Sequence, residues 1–115
     1  MKFGYILTKY AKGAYNPHEK KVYLNLDGTK LCWEDKDGKD MKSVNINDII
    51  SVHLGDIGEG IEKHIGPKKK IKNLENYGII LLKSKDRKSL EFGCNDELVL
   101  REFIRGLEWY VDEWK

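Results

Sequence analysis

Seven short segments of strand character, each ended by a turn, precede one segment with helical apolar spacing, and that order admits few architectures. FGYILTKY (3–10) is rich in aromatic and β-branched residues and runs into a loop holding Gly13 and Pro17. KVYLNL (21–26) alternates Val22, Leu24 and Leu26 on one face before Asp27-Gly28, a strong hairpin signal. KLCWE (30–34) follows, then a second Asp-Gly inside DKDGKD, then MKSVNI (41–46) and DIISVHL (48–54). YGIILLK (77–83) and KSLEFG (88–93) are separated by SKDR. Strands at hairpin spacing predict a mostly β fold, a seven-stranded antiparallel barrel or sandwich.

From Leu98 onward the period changes. Leu100, Phe103, Ile104, Leu107, Val111 and Trp114 fall on one helical face, which predicts a C-terminal α-helix over about 96–113. Asn95 is the expected N-cap, and Asp96 and Glu97 suit the positive end of the helix dipole. A helix with one apolar face must cover something, and an open end of the barrel is the natural surface. The stretch from 54 to 76 fits no strand and reads as an excursion with one helical turn around Glu59 to His64. Its glycines match neither GxGxxG nor a P-loop.

A chain of 115 residues suits a single domain spanning 1–115, with 40% hydrophobic and 35% charged residues. The net charge of +2 is too small for a bulk nucleic-acid or membrane binder, yet its distribution is uneven. Residues 1–43 carry nine lysines against six acids, whereas residues 95–115 carry three basic groups against six acids. Such a dipole can steer an anionic partner. Cys32 and Cys94 are too few for a disulfide framework and are expected reduced. No apolar run reaches the ~20 residues that span a bilayer, and neither a signal peptide nor an N-terminal glycine for acylation is evident. The expectation is a cytoplasmic, monomeric protein, or a domain cut from a longer one.

Several motifs resemble the pleckstrin homology (PH) family. GYILTKY resembles that family's first strand, where an apolar stretch leads to a lysine, here Lys9. KKVYLNLDGTKLCWED resembles its second and third strands, including Trp33. Ile46, Asp48, Ile49, Val52 and Gly55, followed by Glu59-Gly60-Ile61-Glu62-Lys63, are similar to the phospholipase C-type subgroup, as is the helix stretch FIRGL. The resemblance spans about 4–111 and implies a seven-stranded barrel capped by the helix. In two places the chain departs from the pattern. Phe103 stands where the family has a helix tryptophan. His18-Glu19-Lys20-Lys21-Val22 breaks the basic-x-basic pattern that starts the second strand of phosphoinositide binders.

The resemblance implies a module that recruits its host to the cytosolic face of a membrane by binding an anionic phospholipid headgroup, a phosphoinositide or phosphatidic acid. Lys9, Lys12, Lys20 and Lys21, gathered in KYAKGAYNPHEKK, are the expected contacts. Only one of Lys20 and Lys21 can face the pocket, because adjacent strand residues point to opposite faces. Lys30 and Lys36 are further candidates, and Tyr15 is a candidate membrane contact. Lys36, Lys39 and Lys42 alternate with Glu34, Asp35, Asp37 and Asp40, which favours a solvated face there. The KKKIK run at 68–72 is either a non-specific contact for anionic lipid or a solvated loop. His18, His53 and His64 have no partners at catalytic or metal-ligand spacing, so no enzyme activity, cofactor or metal is expected. Tyrosines interleaved with lysines could stack bases, but RNP-like motifs, RGG runs and strong net charge are absent, so no nucleic-acid partner is expected. The alternative is a protein-interaction domain of PH type with a degenerate lipid pocket.

Overall fold

The fold is given by a computed structural model that describes residues 4–11, 16–35, 37–38 and 41–114. The strands are β1 (Tyr5–Tyr10), β2 (His18–Leu24), β3 (Lys30–Glu34), β4 (Met41–Asn45), β5 (Ile49–Leu54), β6 (Tyr77–Leu82) and β7 (Ser89–Gly93). Two α-helices, α1 (Glu59–His64) and α2 (Glu97–Trp114), complete the regular structure, with short 3-10 turns at 46–48, 68–70 and 74–76. The strands form one antiparallel sheet in the order β4-β3-β2-β1-β7-β6-β5, so β1 pairs with both β2 and β7. The sheet wraps one core, in which Tyr5, Leu7, Val22, Leu31 and Trp33 of the first three strands meet Ile80, Leu82, Leu90 and Phe92 of the last two.

Alternation decides which residues enter that core. Val22 lies opposite Tyr5 on one side and Trp33 on the other, and all three are buried. β2 starts at His18, three residues earlier than KVYLNL suggests, and stops at Leu24. Leu26, expected on the apolar face, is fully exposed. The turn claims it instead: Lys30 N–H donates to Asn25 Oδ1 at 2.9 Å, and Gly28 adopts φ 72°.

Along α2, Leu100, Phe103, Ile104, Leu107 and Val111 are buried, as the spacing predicts. Each contributes roughly 1.5–3 kcal/mol by leaving water. Phe103 packs edge-on against Phe92 (5.9 Å between ring centroids) and tilted against Tyr5 (5.4 Å), filling the position where a tryptophan was expected from the resemblance. The N-cap is Asp96 rather than Asn95: Asp96 Oδ1 accepts from Leu98 N–H at 3.0 Å. The Asn95 carbonyl is taken by the side-chain amide of Asn76. Near the other end, Tyr110 donates its hydroxyl to the Gly28 carbonyl at 2.7 Å, so α2 is fastened to the β2–β3 turn.

The excursion between β5 and β6 carries α1 at the expected helical turn. Its first turn is held by a residue of β7. Glu91, 4% exposed, accepts backbone N–H bonds from Gly58 (2.8 Å), Gly60 (2.9 Å) and Ile61 (2.9 Å). Three otherwise orphaned donors at a helix start are thereby satisfied by one carboxylate. The contact leaves no room for side chains: a Cβ on Gly60 would lie 2.7 Å from Glu91 Oε2 and 3.0 Å from the Ala11 carbonyl carbon. α1 is therefore seated on the end of β1, at the root of the first hairpin.

Candidate anion-binding site

Inner-face alternation runs along β1 through Tyr5, Leu7 and Lys9, and along β2 through Lys20 and Val22. On β4, Lys42 lies directly opposite Trp33 and shares its face. Lys9, Lys20 and Lys42 thus converge where the inner face meets solvent, at the end bearing the β1–β2 and β3–β4 connections. The β6–β7 connection supplies a fourth cation. Arg87 stands 5.2 Å (Cζ) and Lys9 5.7 Å (Nζ) from the centroid of the buried Trp33 ring.

The electrostatics record this crowding. Burial lowers the Lys9 pKa to about 8, and the positive charges of Arg87, Lys42 and Lys20 push the same way; Glu91 opposes them. Lys20 forms an ion pair with Asp35, just past β3. Its hydrogen bond holds the Asp35 carboxyl below the usual carboxylate range, with help from the charges of Lys20, His18 and Lys42. Beside the pair lies a recess of about 720 Å³ lined by Thr8, Pro17, His18, Glu19, Lys20 and Asp35. Among the described residues, no three His, Cys, Asp or Glu side chains gather to hold a metal ion.

Of the expected contacts, the structure brings Lys9 and Lys20 together. Lys21 belongs to the opposite face of β2, with its Nζ 5.6 Å from the centroid of the Tyr23 ring. Lys30 sits at the far end of β3, about 13 Å along the strand from Glu34 at ~3.3 Å per residue. It lines a groove of about 450 Å³ that runs past Ser43, Asn45 and Asp48 to Ser84 and meets the mouth at Arg87. Lys12, Tyr15, Lys36 and Lys39 lie outside the described residues. Lys42, read from the sequence as part of a solvated face, shares the inner face with Lys9. Arg87 was not anticipated, because SKDR has the composition of any polar hairpin turn.

Solved structures place this architecture. PLC21 from L. pealei superposes with a TM-score of 0.70 at 12% identity, over 95% of this chain and 15% of that one. The PH domain from PfAPH superposes with a TM-score of 0.65 at 20% identity, over 95% and 82% respectively. The chain has a pleckstrin homology fold. Inner Membrane Complex Sub-compartment Protein 3 from Toxoplasma gondii shares it, with a TM-score of 0.67 at 13% identity over 97% of this chain and 78% of that one. This PH fold spans a small part of the length of PLC21. No family model matches the sequence, and no curated protein does. Among the described residues, no helix of the PH fold is long and apolar enough to cross a membrane.

Proposed function

We propose that this chain is a membrane-recruitment module that binds an anionic phospholipid headgroup, a phosphoinositide or phosphatidic acid, at the cationic mouth of its barrel. The observation that carries this reading is Lys9, partly buried and near three further cations; burial first, and then those charges, lower its pKa to about 8. Positive charge concentrated against its own repulsion marks a site built to be relieved by an anion. Lys9, Lys20, Lys42 and Arg87 act as the direct contacts, each charge-assisted bond contributing roughly 1.5–3 kcal/mol when desolvated. Arg87 adds a planar fork suited to phosphate oxygens, which the lysines lack. Lys12 and Lys36 extend the cation set from the neighbouring connections, and Tyr15 enters the bilayer interface. Lys21 and Lys30 strengthen the field at the surface without touching the headgroup. The protein acts as a monomer, peripheral to the cytosolic face of a membrane.

Vesicle co-sedimentation tests the reading, using phosphatidylcholine carrying phosphatidylserine, phosphatidic acid or individual phosphoinositides at two salt concentrations. Binding to one headgroup that survives higher salt is the expected result. Binding that tracks total negative charge alone would reduce the mouth to a basic surface. Binding to none would favour a protein partner, with exposed Ile50 and Trp109 as the first places to look.

A further inference from the structure

We propose that Asp35 is the resident anion of the mouth, and that a ligand binds by exchanging its own phosphate for this carboxylate. The proposal rests on the headgroup-binding reading above and concerns how that site chooses its ligand. Asp35 follows β3 directly, and its backbone carbonyl accepts from Gly38 N–H at 2.9 Å, which fixes it within the Asp37-Gly38 turn. Its carboxylate is paired with Lys20, an inner-face cation beside Lys9. Lys42 and His18 are close enough to act on the same carboxyl. A negative oxygen therefore already sits on Lys20, within the field of Lys42 and His18, on the wall of the recess that the pair lines.

The accessibilities suit an exchange. The Lys20 side chain is 17% exposed and that of Asp35 is 40% exposed. The cation is thus the built-in half of the pair, while the carboxylate can turn into water without being stranded. The exchange has a charge condition. Replacing a tethered carboxylate with a singly charged phosphodiester leaves the charge of the mouth unchanged and forfeits the tether's high effective concentration. A phosphomonoester brings nearly two charges and three acceptor oxygens near neutral pH. The mouth therefore takes phosphomonoesters, whether on a lipid headgroup or a soluble inositol phosphate, and passes over diester headgroups.

The full chain is compared with Asp35→Asn and with Asp37→Asn, which removes the same charge two residues further on. Each is titrated with phosphatidylcholine vesicles carrying equal fractions of phosphatidic acid or phosphatidylserine, with and without soluble inositol hexakisphosphate. Wild type is expected to bind the phosphatidic acid vesicles and leave phosphatidylserine vesicles unbound. Asp35→Asn should tighten phosphatidic acid binding about three- to tenfold and gain phosphatidylserine binding, because the competent fraction of the mouth rises. Asp37→Asn should stay within about twofold of wild type. Competition by the soluble phosphate assigns the mouth to either source of monoester, and failure to compete assigns it to the lipid surface. If wild type binds but Asp35→Asn binds no tighter, or no tighter than Asp37→Asn, the exchange idea fails and the headgroup reading stands. If none of the three proteins binds these vesicles, vesicles carrying phosphoinositides or the soluble phosphate, both fail. A measurement on wild type alone guards against misfolding of the variant. Carbon-13 NMR should show the Asp35 carboxyl titrating higher once phosphate saturates the mouth, and an unmoved titration overturns the exchange.

Discussion

Lys9 is where function and stability pull apart. Its depressed pKa means that the fold holds a charge at neutral pH in a place that disfavours it. Lys9→Met is therefore expected to stabilise the protein by about 1 kcal/mol, a figure discounted for partial exposure. The same change should weaken headgroup binding by about tenfold or more. Urea midpoints and vesicle titrations read the two effects separately. The pH dependence follows with a definite sign. Between about 8 and 10.5 the unfolded chain keeps a proton on this lysine that the folded chain has released, so stability rises with pH across that window. Headgroup binding should fall as pH passes about 8, because the neutral amine no longer attracts phosphate. Lys9→Met removes both slopes. The position of Lys9 was legible in the sequence because a strand ending in a lysine projects it predictably. Its electrostatic state was not, since that depends first on burial by the closed barrel and then on Arg87, which lies 78 positions away in a turn of ordinary composition.

At the scale of elements, the fastening of α1 to β7 decides how the first hairpin is held. Glu91→Gln keeps an acceptor at Oε1 for Gly58 and Ile61 but sets an amide against the Gly60 N–H. The expected cost is about 2 kcal/mol in urea unfolding, with faster hydrogen exchange at residues 58–61. The helical turn at 59–64 and the strand rhythm could be read in advance because both are periodic and local. That Glu91 caps this turn could not. KSLEFG shows a glutamate on the solvent side of an alternating strand, and only tertiary packing turns that side into an interior. Leu26 shows the converse error, since alternation carried it onto the apolar face while the hydrogen bonds of Asn25 ended the strand first. The helix cap moved by one residue for a similar reason: Asn95 and Asp96 are equally good caps by composition, and the bond from Asn76 settles which one turns inward.

Across the whole molecule, the uneven charge seen in the sequence acquires an axis. Glu108, Asp112 and Glu113 lie in the last part of α2, which is tied to the β2–β3 turn, while Lys9, Lys20 and Lys42 lie at the other end of the strands. Association with anionic vesicles should therefore be steered. Its rate is expected to fall about tenfold between ~0.01 and ~0.15 M salt while dissociation changes much less, as stopped-flow mixing can show. The sheet order has a different kind of consequence. β1 is the first strand to be made, yet it lies in the interior of the sheet, between β2 and the last strand, β7. During synthesis one edge of β1 must wait for residues 89–93 to leave the ribosome, and the covering face of α2 comes later still. The hairpin that carries the mouth can form early, but the barrel that gives its lysines their unusual chemistry closes only after the last of its own strands and α2 have emerged.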